Sequence, residues 1–215
     1  MISAKQRLLE IFHRTSFKSS DEPVFRLASG KLSKYYIDCK QALSDPEARA
    51  LISNLIFDQI KNESFDSVGG LELGAYPIAT SISDKIFQQT GKGVRAFVIR
   101  KEPKSHGVTD LIAGHVKKGD RALIVDDVVT SGGSTITAIK RAREAGLLVE
   151  RAIVLVDREE DEGGNNIEAE RVKFSALFTL ADLRKLDNDS TQQSNANATH
   201  KGFARRQPLG TAISR

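Results

Sequence analysis

The chain is 215 residues long, with 40% hydrophobic residues, 28% charged residues and a formal net charge of +4. That length suits one domain with a sizeable core, and the composition argues against wholesale disorder and against fibrous classes. No apolar run approaches the roughly 18 residues of a membrane span, and the first residues lack the apolar stretch of a secretory signal, so a cytoplasmic protein without a membrane partner is expected.

The single cysteine, Cys39, rules out an intramolecular disulfide and a cysteine zinc cluster, and is expected to be a small buried hydrophobe. The positive charge is unevenly spread. Residues 188–215 hold four basic residues and one acid, which leaves 28 basic against 27 acidic residues over 1–187. So neutral a body offers no evident nucleic-acid surface. The segment 188–215 is rich in Asn, Ser, Thr, Gln and Ala without a sustained apolar period, and is expected to be a disordered tail behind a domain spanning 1–187.

In chain order, Ser3 to Arg14 carries Leu8, Leu9, Ile11 and Phe12 on one stripe and predicts a helix capped by Ser3. Residues Val24 to Leu27 and Tyr35 to Asp38, separated by Ser29-Gly30, predict a hairpin. Asp45-Pro46-Glu47 predicts the start of a helix of about four turns, with apolar residues from Ala48 to Ile60 at helical spacing. Short apolar strands are then expected at Ser67 to Leu71, Val94 to Ile99, Ala122 to Val125 and Ala152 to Val156. Helices are expected at Tyr76 to Gln89 and Thr135 to Ala145, stopped by Gly91 and Gly146. A long basic loop separates Ile99 from Ala122. Lys173 to Leu186 predicts a last strand and a short helix opened by Thr179. Strands that are apolar on both faces and joined through helices imply an α/β fold with a central parallel sheet flanked by helices.

Ligands of such sheets lie beyond the carboxyl ends of the strands. There the segment ALIVDDVVTSGGST, residues 122–135, carries the strongest signal: an apolar strand, two carboxylates at its end (Asp126, Asp127), and a loop of hydroxyls and glycines entering a helix. Glycines let several backbone N–H groups converge on one phosphate, and the helix N-terminus adds favourable potential. The carboxylates suit sugar hydroxyls or a hydrated divalent cation. Neither G-x-x-x-x-G-K-[ST] nor G-x-G-x-x-G occurs, which excludes the common mononucleotide and dinucleotide loops.

The 122–135 segment resembles the ribose-phosphate motif of the type I phosphoribosyltransferases. RKEPKSHG at 100–107, LASGKLSKYYID at 27–38, GGLELGAYPIA at 69–79 and VDR at 156–158 narrow the resemblance to the orotate phosphoribosyltransferase family. It implies the type I fold with a small hood from about 1–40 and 157–187, and transfer of ribose 5-phosphate from phosphoribosyl pyrophosphate (PRPP) to N1 of orotate. Orotidine 5′-monophosphate and pyrophosphate are the implied products, on the route to UMP. It also implies a homodimer with shared sites, and Mg²⁺ held mainly by PRPP and water near Asp126 and Asp127, with no direct protein ligand.

By the same resemblance Thr130, Ser131, Gly132, Gly133 and Ser134 cradle the 5-phosphate, and Asp126 and Asp127 hold the ribose hydroxyls. Arg100, Lys101, Lys104 and His106 neutralise the departing pyrophosphate from a mobile lid, with Lys104, His106 and the two aspartates as the catalytic set. Arg158 receives the orotate carboxylate, with Thr130, Tyr36, Ser29 and Gly30 near the base, whereas Tyr35 is expected to pack in the core. The chain departs from many bacterial members in having Ala28 and Gly74 where those members carry lysines. The other readings of the same motif are a PRPP-binding regulator and a phosphoribosyltransferase for another base.

Overall fold

The computed structural model describes residues 2–27, 30–102 and 111–187. The expected tail, and Ala28, Ser29, Lys104 and His106, lie outside the described residues. The chain opens with α1 (Ala4–Ser16), whose N-cap Ser3 accepts from the Gln6 N–H at 3.1 Å and whose Leu8, Ile11 and Phe12 are buried. Four short strands come next: β1 (Phe17–Ser19), β2 (Phe25–Arg26), β3 (Leu32–Ser33) and β4 (Tyr35–Ile37).

The expected pairing of 24–27 with 35–38 does not form. β2 pairs instead with β3, and β4 with β1, both antiparallel. The tight turn around Gly30 brings only its nearest residues together, the Leu27 N–H donating to the Lys31 carbonyl at 2.9 Å. Tyr35 gains more from Phe17, on which its ring stacks at 5.9 Å between centroids.

Next comes α2 (Cys39–Ser44), which the sequence did not announce, and then α3 (Pro46–Ile60), where Asp45 accepts from the Glu47 N–H at 2.8 Å as its capping pattern required. Beyond it follow β5 (Ser67–Leu71), α4 (Ala75–Thr90), β6 (Arg95–Ile99), β7 (Ile112–Ala113), β8 (Arg121–Val129), α5 (Gly133–Glu144), β9 (Leu148–Asp157), α6 (Gly163–Ala169) and β10 (Lys173–Thr179). A last helix, α7, spans 180–187 and begins with a reciprocal cap between Thr179 and Asp182.

The main sheet has the order β10-β9-β8-β5-β6-β7, parallel throughout except for β7, which pairs antiparallel with β6. Ile52, Ile56, Ile78 and Ile82 cover one face together with Leu8 and Phe12, while Ile139, Ala142 and Ile167 cover the other. That double cover explains why the strands read as apolar on both faces. No helix among the described residues is long and apolar enough to cross a membrane.

Strand order reverses between β5 and β8, because the chain winds outward from β5 to β6 and later from β8 to β10. Such a switch point opens a crevice at the carboxyl ends of the two strands. A β-carbon at Gly70 would lie 2.0 Å from the Val125 carbonyl oxygen, so only glycine lets β5 approach β8 this closely.

Candidate active site

The two carboxylates lie inside β8 and not beyond its end. The apolar run Ala122 to Val125 suggested a shorter strand, but β8 stays paired with β9 as far as Val129 opposite Asp157, whereas β5 leaves it after Ile124. Asp126 and Asp127 therefore sit on a strand held from one side only, facing the crevice. Asp126 is buried. Its Oδ2 accepts from the Thr135 hydroxyl at 2.9 Å and its Oδ1 from the Asp127 N–H at 3.0 Å. Burial, and then the adjacent Asp127 charge, push the Asp126 carboxyl up to about 7. Asp127 remains half-buried, and its carboxylate occupies the place where a side chain at position 74 would begin, 2.5 Å from an ideal β-carbon on Gly74.

Thr130 to Ser134 line a cavity of about 340 Å³ together with Leu27, Val128 and Val129. Gly132 turns the chain into α5 with φ of 84°, a left-handed conformation that favours glycine, and no side chain caps the helix start. Asn166 supports the loop from behind by donating to the Ser131 carbonyl at 3.0 Å. A second cavity of about 260 Å³ lies between the ends of β5 and β8. Asp126, Asp127, Glu72, Lys101 and Lys40 line it, and so does Ser134, which borders both cavities.

The segment after β6 is tied down at its base. The Arg100 N–H donates to Leu111, the Lys101 N–H donates to Glu72 Oε1 at 2.8 Å, and the Arg141 guanidinium donates to the Arg100 and Lys101 carbonyls. Lys101 thus lines one cavity with the two aspartates.

Arg158 lies elsewhere. Its guanidinium is 3% exposed and grips Glu160 bidentately, Nε to Oε2 at 3.0 Å and Nη2 to Oε1 at 3.2 Å, while also donating to the Ser33 hydroxyl and the Tyr35 carbonyl. It ties the strand end after β9 to the N-terminal hairpin. Tyr36 is partly exposed and stacks on Phe25 at 5.8 Å, and Gly30 has φ of 83° in the turn between β2 and β3. Tyr35 packs inward as expected, with the Arg184 guanidinium 4.9 Å over its ring.

Sequence reasoning missed Lys40, Glu72 and Glu160. For Glu160 the signal was available, since Arg-x-Glu at a strand end permits a local bidentate pair. A lysine in an unannounced six-residue helix gave none.

Among the described residues no group of three or more His, Cys, Asp or Glu side chains could hold a metal ion, and both oxygens of Asp126 already accept hydrogen bonds. Among the described residues, the crevice carboxylates available to a hydrated cation are Glu72, Asp126 and Asp127.

A switch-point crevice that joins a hydroxyl-glycine loop to paired carboxylates defines a phosphoribosyltransferase, and residues 41–191 match the model of the phosphoribosyl transferase domain family. The orotate phosphoribosyltransferase of Aquifex aeolicus is 42% identical over 179 residues, covering 83% of this chain and 97% of that protein. The crystal structure of the Mycobacterium tuberculosis orotate phosphoribosyltransferase with Fe(III) dicitrate superposes with a TM-score of 0.72 at 34% identity, covering 84% of this chain and 99% of that one. The same enzyme in complex with PRPP gives 0.66 at 30% identity, over 85% and 93%. The chain belongs to the orotate phosphoribosyltransferase family.

Proposed function

We infer that the protein transfers the ribose 5-phosphate of PRPP to N1 of orotate, giving orotidine 5′-monophosphate and pyrophosphate in the formation of UMP. The observation that carries this reading is the pair of cavities meeting at Ser134 in a chain of this family. A sugar with a phosphate at one end and a diphosphate at the other spans two such cavities. The uncapped N–H groups at the start of α5 suit the 5-phosphate, with Thr130, Ser131, Gly132, Gly133 and Ser134 around it.

Asp126 and Asp127 then accept from the ribose hydroxyls and favour the positive charge that develops on the sugar as the C1–O bond breaks. The electron pair departs on the pyrophosphate. Lys101 neutralises that charge from the cavity wall, as do Arg100, Lys104 and His106 on the sequence pattern alone. Mg²⁺ would supply further neutralisation of the diphosphate if bound, with Asp126 and Asp127 as the carboxylates that would hold its hydration shell.

Arg158 recognises the orotate carboxylate. The support is chemical: the partner it now grips, Glu160, carries the same functional group in the bidentate arrangement that a substrate carboxylate would take. Thr130, Tyr36 and Gly30 complete the base side, as does Ser29 on the sequence pattern alone. A homodimer fits the exposed Leu73 and Tyr76 at the start of α4, beside the crevice, where a second copy would cover them.

Purified protein given orotate, PRPP and Mg²⁺ is expected to consume the orotate absorbance and release pyrophosphate in equal amounts. Turnover of adenine, hypoxanthine or uracil in place of orotate would overturn the assignment of the base. PRPP binding without turnover of any base would leave a regulator.

A further inference from the structure

The cavity between β5 and β8 must receive the most highly charged part of the substrate, yet its lining is rich in carboxylates: Glu72, Asp126 and Asp127. A diphosphate terminus carries roughly −1.5 to −2 charges near neutral pH, so it enters only if cations meet it. Among the described residues of that lining the cations are Lys101 and Lys40.

The turn after β5 cannot supply another without rearrangement, because Asp127 fills the space in front of Gly74. Lys40 comes to the cavity from a different element, α2. It stands in the first turn of α2, and Asp38 caps that helix by accepting from the Lys40 N–H at 3.2 Å. The neighbouring Cys39 is buried with its thiol 3.9 Å from the Asp127 carbonyl, which fixes the start of α2 against β8. The Lys40 ammonium pairs with Asp38 at 3.0 Å while more than half of its side chain remains exposed. Asp38 first, and Asp127 to a lesser degree, hold this amine above its ordinary range, so it is charged at the pH of the reaction.

We propose that Lys40 is a pyrophosphate-binding residue, whose ammonium turns from Asp38 to the diphosphate of PRPP and supplies, from α2, the cation that the turn at Gly74 does not. The inference rests on the PRPP reading above. A solvated pair such as Lys40 with Asp38 is weakly held, so a diphosphate with several charged oxygens displaces the single carboxylate readily. Asp38 keeps the ammonium at the mouth of the cavity until substrate arrives.

The test is calorimetric titration of the full chain with Mg²⁺-PRPP and, separately, with Mg²⁺-pyrophosphate, together with steady-state kinetics in both substrates. Lys40→Ala is expected to weaken both ligands by roughly 10- to 100-fold, the usual loss for one charge-assisted contact, and to leave the KM for orotate unchanged. Lys40→Arg should recover most of the affinity, and an intact melting temperature in both variants shows that the fold is preserved. Unaltered pyrophosphate affinity in Lys40→Ala, or an equal loss in Lys40→Arg, would reduce Lys40 to a helix-start ion pair and overturn the proposal. If the wild-type chain binds PRPP but does not turn over orotate, the base assignment fails while the affinities still decide on Lys40. Should the wild type bind neither PRPP nor pyrophosphate, both readings fall.

Discussion

The two sides of the crevice are held by different means. On the phosphate side the shape is made by backbone: Gly70 lets β5 meet β8, Gly132 turns the chain into α5, and Gly163 packs against Thr130, where a β-carbon would lie 2.3 Å from the carbonyl oxygen. On the base side the shape is made by side chains, Arg158 to Glu160 and Ser33, and Lys31 to Asp161 at 2.5 Å. There the connecting loop also holds Glu159, Asp161 and Glu162 at φ of 55°, 50° and 54°, a region costly for residues with a β-carbon. Backbone shape resists exchange, whereas ion pairs can swap partners. Under the proposed assignment, the sugar phosphate meets the first kind of wall and the base the second.

Gly132→Val attacks the backbone side and should have the largest effect. Its φ of 84° and the Gly163 oxygen 2.9 Å from the new β-carbon force the loop to move. A displacement of about 1 Å at a reacting group costs on the order of 10²-fold in rate. We expect the PRPP KM to rise by a similar factor and the orotate KM to change far less. Equal changes in the two would break the division between the walls.

Arg158→Ala attacks the other wall. It leaves Glu160 without its bidentate partner and unties the hood from the end of β9, a loss of roughly 1–2 kcal/mol of stability for a pair buried only on the arginine side. The KM for orotate should rise at least about tenfold while PRPP binding persists, because one charge-assisted contact carries that much. A variant with unchanged orotate KM would make Arg158 a brace for the hood and nothing more.

How much of this was legible depends on range. Ser3, Asp45 and Thr179 announced their helices because a cap is a local event, and the strands announced themselves because both faces are covered. The loop 130–134 stood out because its hydroxyls and glycines follow one another in sequence, and it does line a cavity. What failed to show was set by partners far along the chain. β4 left the expected hairpin for Phe17, β8 ran on because β9 follows it to Asp157, and Lys40 reached the cavity only because Cys39 anchors α2 under Asp127. Arg158 was singled out only through the family resemblance, and nothing in its spacing revealed the contacts to Ser33 and Tyr35 from 123 to 125 residues away.

The adjacent aspartates sharpen the comparison within a single strand. Unfolded aspartate ionises near 3.9, and the folded chain raises Asp126 to about 7, so between those values the native state keeps a proton that the unfolded chain has lost. This contribution is at its most favourable below about pH 4 and is lost as the pH rises to 7, with a slope of at most about 1.4 kcal/mol per pH unit. Asp126→Asn keeps an acceptor for Thr135 and removes the titration. The difference in melting temperature between variant and wild type should therefore grow in favour of the variant from pH 4.5 to 7.5. Parallel curves would place Asp126 in a far more solvated setting than its burial indicates.

The smallest effect is expected at Lys31. Its ion pair with Asp161 is the shortest link between the hairpin and the loop after β9, and by distance it looks like the strongest. Distance misleads here. Lys31 is largely exposed, so water and salt screen the pair, and holding two side chains in one geometry offsets much of what remains. Arg158 spans the same gap from a buried position, where solvent screens its contacts to Ser33 and Tyr35 far less. Lys31→Ala should leave the melting temperature and the orotate KM unchanged at physiological salt. A small loss should emerge only at low ionic strength, in titrations run at both conditions. A loss at physiological salt comparable with that of Arg158→Ala would mean that the hood is held from its surface, and the buried guanidinium would no longer be the tie that sets the base side apart.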